Sequence, residues 1–298
     1  MKRIFLFLVT NLAVLALLSV AVYLIEQVSG IRLEGGGMGG LLAGAAVCGI
    51  GGSLVSLLLS KWTAKRVMNI RMVRSAGLGQ PPSDSDAWLL ATVQRLAAAA
   101  GIGVPEVGVF EAEEMNAFAT GARRNAALVA VSTGLLRGMP REHAQAVLAH
   151  EISHVANGDM VTLALLQGVL NTFVIFVARL IGSAVDRSLF KNDRGESGIG
   201  FFLASMVAQL VLGIFASMIV SGYSRRREFR ADLGGANLAG VGSMVGALQM
   251  LKRSQGESLP PPMQAFGINT GSAAAITGLL MSHPPLDARI AALRTYDS

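Results

Sequence analysis

The sequence predicts a mainly α-helical integral membrane protein, with about four transmembrane helices and a cytoplasmic α+β part that carries a small sheet. Three observations point there. Of 298 residues, 52% are hydrophobic and 15% charged, and the mean hydropathy is +0.53, which is unlike a water-soluble globule. Four stretches are free of charge for long enough to cross a bilayer, which takes about 20 residues. Between and after them lie segments with the periodicities of ordinary folded structure.

The first span covers residues 4–25. Lys2 and Arg3 precede it, but the run is long and "YLIEQVSG" offers no small-residue cleavage site, so it reads as a retained anchor and not as a signal peptide. The second span, 35–60, opens on a "GGGMGG" turn and places Gly40 and Gly44 in G-x-x-x-G spacing, which lets two helices approach closely. Residues 1–60 thus form one hairpin. Residues 61–159 form the first cytoplasmic part. Within it "SDAWLLATVQRLAAAAGI" is a helix capped by Ser83 or Ser85, "PEVGVFEA" and "NAALVAVSTGLL" are short strands, and "PREHAQAVLAHEISHVANGD" is a helix that starts near Pro140 and stops at Asn157-Gly158.

A second hairpin covers residues 160–224, with spans at about 160–180 and 197–222 and with Arg179 closing the first of them. Full crossing puts Gln167, Asn171 and Gln209 at membrane depth, where polar groups are tolerated mainly against other helices; a partly embedded hairpin is the alternative. The loop 186–196 has no interpretable motif. The last part, 225–298, continues the fourth span as a helix through "GYSRRREFRADLGGANLAG" and then has a loop at "SLPPPMQ".

Charge sets the expected orientation. Lys61, Lys65, Arg66, Arg71 and Arg74 follow the second span, and Arg225, Arg226, Arg227 and Arg230 follow the fourth, while the segment between the first two spans carries Glu26, Arg32 and Glu34 and the loop 186–196 balances three bases with three acids. The positive-inside rule then puts both termini and both soluble parts in the cytoplasm. This flanking pattern accounts for the net charge of +6 and the pI near 10.0, with no basic face interleaved with aromatics to suggest nucleic acid. Cys48 stands alone, so no intramolecular disulfide and no multi-cysteine site exists.

"HEISH" at 150–154 concentrates two of the 4 histidines. Positions i and i+4 share one helix face, so His150 and His154 can aim at one ion while Glu151 reaches a water beside it. With 4 His and 11 Glu in the chain, chance gives such a pattern in roughly a few chains per thousand, so a metal reading is favoured. Two histidines need a third protein ligand to leave one position of a tetrahedral zinc open for water. His143 lies two turns away, about 10 Å along the axis, which is too far. Glu228 is the better candidate, with Asp232 on the same helical face to orient a ligand histidine.

Together "AHEISHVANGDM", "REFRAD", "NAFATGARRNAALVAVSTGLL" and "SHPPLDARIAALR" resemble the HtpX family, membrane-bound zinc metalloproteases of the bacterial inner membrane related to the CAAX prenyl proteases. The resemblance covers nearly the whole chain. It implies a zincin-like (gluzincin) catalytic domain and one zinc ion per chain, held by His150, His154 and Glu228. Glu151 is then the general base and Asp232 a partner behind the ligands. It also implies endoproteolysis of misfolded or damaged membrane proteins in stress-linked quality control. By the same likeness, Asn116, Ala117 and Phe118 lie on an edge strand that can take an extended substrate, or on an ordinary buried strand. His283 is either a donor to the oxyanion of the transition state or a structural turn, and Arg289 is a weaker candidate for the same work.

Overall fold

A computed structural model of the chain describes Gln27 and residues 37–73, 83–190, 198–257 and 283–296. The expected first span and the "SLPPPMQ" loop lie outside the described residues. The chain divides into two compact units, one comprising residues 1–57 and 162–220, the other 58–161 and 221–298.

Among the described residues of the first unit the structure is helical. Helix α1 (Gly37–Ala46) passes through a π-helical turn at Val47–Gly51 into α2 (Gly52–Val67). The glycine run therefore opens a helix at Gly37 instead of forming a separate turn: once Gly37 has adopted φ 70, the remaining glycines follow as its first turn. Helix α6 (Asp159–Ser188) continues through Arg179 for 30 residues, further than the expected stop, because an arginine near the end of an apolar run can extend its stem to more polar surroundings. Helix α7 (Ile199–Ala239) is unbroken over 41 residues; its charge-free part ends at Ser224 and the rest carries Arg225 to Asp232. Three helical stretches among the described residues, Gly37–Val67, Asp159–Ser188 and Ile199–Ala239, are long and apolar enough to cross a membrane.

Leu165, Val169, Phe173, Phe202, Leu210 and Phe215 are exposed large apolar side chains of the kind a bilayer solvates. Gln167, Asn171 and Gln209 are exposed as well. Gly40 and Gly44 are buried, as their spacing suggests, but the tightest approach lies one turn on. A Cβ on Gly49 would sit 2.3 Å from the backbone nitrogen of Thr172, and one on Gly168 would sit 3.0 Å from Cα of Ile50. Asp186, the last acid of α6, accepts from the backbone N–H of Gly198 (3.0 Å) and Phe201 (3.1 Å), satisfying free donors at the start of α7.

The second unit holds a four-stranded sheet in the order β1-β2-β4-β3, from β1 (Arg71–Val73), β2 (Glu106–Phe110), β3 (Ala117–Thr120) and β4 (Leu128–Ser132). Strands β2 and β4 run parallel with Val107 opposite Val129; β1 and β3 flank them antiparallel, with Phe118 opposite Ala130. The central β4 is buried along its length, which is why its sequence is an apolar run without alternation. Helix α3 (Asp84–Ala99) is capped by Ser83, whose Oγ accepts from Asp86 N–H, while Asp86 accepts two hydrogen bonds from Arg71 at 2.9 and 3.0 Å and so ties α3 to β1. The short α4 (Thr133–Gly138) leads into α5 (Arg141–Asn157), and α8 (Val241–Glu257) and α9 (Leu286–Tyr296) complete the unit. Leu89 and Val93 of α3, Leu148 and Ile152 of α5, Leu248 of α8 and Leu293 of α9 share the core with the sheet. The face of α5 that buries Leu148 and Ile152 fixes where its histidines point.

Gly49→Ala should destabilise the protein by about 1–3 kcal/mol, because the added methyl meets backbone that cannot rotate away. Gly39→Ala, which meets open space, should be neutral or stabilising. Thermal unfolding of the two variants in detergent checks the pair, and equal midpoints would contradict the packing described.

Candidate metal centre

Helix α5 starts directly after Pro140, whose fixed φ suits a helix start, and ends where Gly158 adopts the left-handed φ of 69. On it His150 and His154, each 7% exposed, bring their Nε2 atoms to 3.1 Å with rings nearly perpendicular. Helix α7 supplies Glu228, which is 1% exposed; its Oε2 lies 3.4 Å from His150 Nε2 and its Oε1 3.3 Å from His154 Nε2. The three residues can each offer one ligand atom within 4.8 Å of the others.

Their chemistry fits a zinc ion. Tetrahedral zinc with bonds of about 2.0–2.1 Å separates adjacent ligand atoms by about 3.3 Å; the two Nε2 atoms are 3.1 Å apart, and each histidine has a different Glu228 oxygen at 3.3–3.4 Å. Both Glu228 oxygens are fully buried and neither makes an aligned hydrogen bond among the described residues, although cationic groups surround them. A buried carboxylate left in that condition calls for a cation.

Other groups hold these three from behind. His150 Nδ1 lies 2.9 Å from Asp232 Oδ1, and Asp232 in turn accepts from Arg289 Nε at 2.7 Å and Nη2 at 2.5 Å. Arg289 Nη1 is 3.6 Å from Glu228 Oε2. His283 Nδ1 is 3.0 Å from the same oxygen, but its side chain is 64% exposed, at the rim. His154 Nδ1 is 2.7 Å from Asp159 Oδ2. Glu151 is half-buried and close enough for its charge to act on His150 and Arg289. His143 packs against Met250 and Gly246 and takes no part, as its spacing predicts.

Burial alone would depress the histidines. In His150 that penalty is overcome by Asp232 and Glu228, and its pKa is raised to about 9; in His154 Asp159 and Glu228 outweigh burial and raise it also. Burial opposes ionisation of Glu228 and Asp232 too. The histidines hold Glu228 below the usual carboxylate range, and Arg289 and His150 do the same for Asp232. Arg289 is desolvated by burial, yet Asp232 raises its pKa. Glu228 and Asp232 thus sit in one network of ion pairs with the two histidines and with Arg227 and Arg289.

The sequence-derived residues fall into two groups. His150, Glu151, His154, Glu228, Asp232, His283 and Arg289 belong to this centre. Asn116 directly precedes β3, and Ala117 and Phe118 begin it, an edge strand beside α5. Asn116 exchanges two hydrogen bonds with Ser132, and Phe118 packs on Phe110, while the strand's other edge pairs with no strand among the described residues. Asp159 and Arg230 also belong to the centre, and their signal in the sequence is an acid directly after the helix-ending glycine and a base two residues after Glu228.

Residues 83–297 match the model of peptidase family M48. The chain is 53% identical over 300 residues to Protease HtpX of Alkalilimnicola ehrlichii, spanning 99% of this chain and 98% of that protein. It is 55% identical over 301 residues to Protease HtpX of Pseudomonas entomophila, spanning 99% of both. Among solved structures, Saccharomyces mikatae Ste24p superposes with a TM-score of 0.65 at 17% identity, a likeness of fold alone. That match takes in 98% of this chain, which spans 65% of the length of Ste24p.

A histidine whose pKa lies higher in the folded than in the unfolded chain stabilises the fold fully below its unfolded value of about 6.5, and the contribution is lost as pH rises through the folded value. Metal-free protein should thus lose thermal stability between pH 6.5 and pH 9, the raised value of His150. Added zinc, which replaces the protons, should reverse the trend. Melting curves across that range test this; a metal-free midpoint that does not fall would contradict it.

Proposed function

Because the chain belongs to peptidase family M48 and is a metalloprotease, we propose that it is a membrane-bound zinc endopeptidase. In this reading it cleaves misfolded or damaged membrane proteins at a cytoplasmic active site in stress-linked quality control. The observation that carries the reading is Glu228, a buried carboxylate without an aligned hydrogen bond, facing two histidine nitrogens at 3.3 and 3.4 Å. His150, His154 and Glu228 hold one zinc per chain. Zinc in that position supplies Lewis acidity toward a water molecule and a peptide carbonyl.

The remaining steps belong to the protein. Glu151 follows His150 on α5 and accepts the proton of the attacking water. It then delivers that proton to the amine of the departing strand. Asp232, gripped by Arg289, stands 2.9 Å from His150 Nδ1, where it favours the tautomer protonated at Nδ1 and leaves Nε2 to the metal. Arg289 is committed to Asp232 and acts through it. His283 faces Glu228 with its Nδ1 and, exposed at the rim, can donate from Nε2 to the oxygen that becomes negative in the transition state.

The edge of β3 at Asn116, Ala117 and Phe118 offers backbone groups to an extended polypeptide. Recognition through backbone bonds with little side-chain selectivity suits unfolded substrates. The bases that follow the apolar stretches at Lys61 and Arg225 support a cytoplasmic site in the bacterial inner membrane, with residues 61–159 and 225–298 as the two catalytic parts and 1–60 and 160–224 as hairpins.

In Glu151→Gln, casein cleavage by detergent-purified protein should fall by at least about 100-fold while one zinc per chain stays bound. A variant that cuts at the wild-type rate would overturn the role given to Glu151.

A further inference from the structure

Each histidine has an acid behind its Nδ1, and the two acids come from different parts of the chain. Behind His150 stands Asp232, one turn beyond Glu228 on α7, held by Arg289. Behind His154 stands Asp159, which is fully buried. Its position follows from local geometry. Gly158, in the left-handed conformation, ends α5 and turns the chain sharply, so that the first residue of α6 comes back beside the His154 ring. Only a residue free of the Cβ penalty makes that turn at little cost.

Asp159 uses both carboxylate oxygens. Oδ2 lies 2.7 Å from His154 Nδ1, and Oδ1 accepts from Arg230 Nη2 at 2.5 Å. Its backbone carbonyl accepts from Arg227 Nη1 at 3.4 Å. Arg227 and Arg230 flank Glu228 on α7. One buried acid thus connects the second histidine to the helix segment that carries the third acidic group, and Arg227 Nη2 closes the ring at 3.8 Å from Glu228 Oε1.

We propose that Asp159, with Arg230, is a positioning pair for the metal centre. Accepting a hydrogen bond from Nδ1–H holds His154 in the tautomer whose Nε2 lone pair faces the space between His150 and Glu228, and the Arg230 link ties the turn after α5 to the helix that carries Glu228. This rests on the metal-centre reading above. A purely structural role, as a clasp at the start of α6, would cost stability without altering metal affinity.

The test measures zinc dissociation constants by chelator competition on full-length, detergent-solubilised protein, with thermal midpoints of the metal-free samples as a check on folding. Asp159→Asn removes the charge and can turn its NH2 toward Nδ1, favouring the opposite tautomer; zinc affinity should fall about 10- to 100-fold. Arg230→Gln should weaken zinc in the same direction by a smaller factor, and it carries the test alone if Asp159→Asn does not fold. Unchanged zinc affinity in a folded variant, with only the midpoint lowered, overturns the proposal. His154→Ala is the control: if it binds zinc as tightly as the wild type, the metal-centre reading itself fails and takes this inference with it.

Discussion

A carboxylate with both oxygens buried and neither in an aligned hydrogen bond is among the costliest groups a protein can hold, and Glu228 is one. The penalty is several kcal/mol per ion unless positive charge is placed against it. His150, His154, His283, Arg227 and Arg289 all lie within 4.0 Å of its oxygens. The same buried carboxylate that raises the pKa of both histidines would favour a divalent cation between them.

The same constraint explains why so many helix ends and turns converge on this place. The histidines need α5 held rigidly, and its opposite face is locked by Leu148 and Ile152 in the core with α3, α8 and the sheet. Glu228 and Asp232 need one helical phase, which the unbroken α7 gives them. Each histidine has a carboxylate beside its Nδ1, Asp159 hydrogen-bonded to His154 and Asp232 2.9 Å from His150, and each carboxylate is fastened by an arginine. Asp159, Asp232 and their arginines thus set how the two histidines are aimed.

Much of this was legible in the sequence because it is local. The HEISH spacing, the Pro140 start and Gly158 stop, the Glu228/Asp232 face and the strands around Val107 and Val129 all follow from patterns within one helix or strand. What was illegible depends on pairing between distant segments. The parallel match of β2 with β4 and the three-residue β1 have no signal of their own, since β1 exists only because Arg71 reaches Asp86 and its backbone pairs with β2. Asp159 lies in plain sight five residues after His154, but its role depends on a single left-handed glycine. The close approach of helices was foreseen at Gly40 and Gly44, and the structure places its tightest point at Gly49 against Thr172 because the partner's side chain decides which glycine must be bare.

The central claim is that Glu228 and the two histidines are ligands of one zinc ion. X-ray absorption at the zinc edge of the purified, zinc-loaded protein reads this directly. The account predicts nitrogen and oxygen ligands at about 2.0–2.1 Å, with outer scattering from two imidazoles, and an outer signal cut to one imidazole in His150→Ala. A sulfur ligand near 2.3 Å, or a wild-type spectrum with no imidazole scattering, would contradict it.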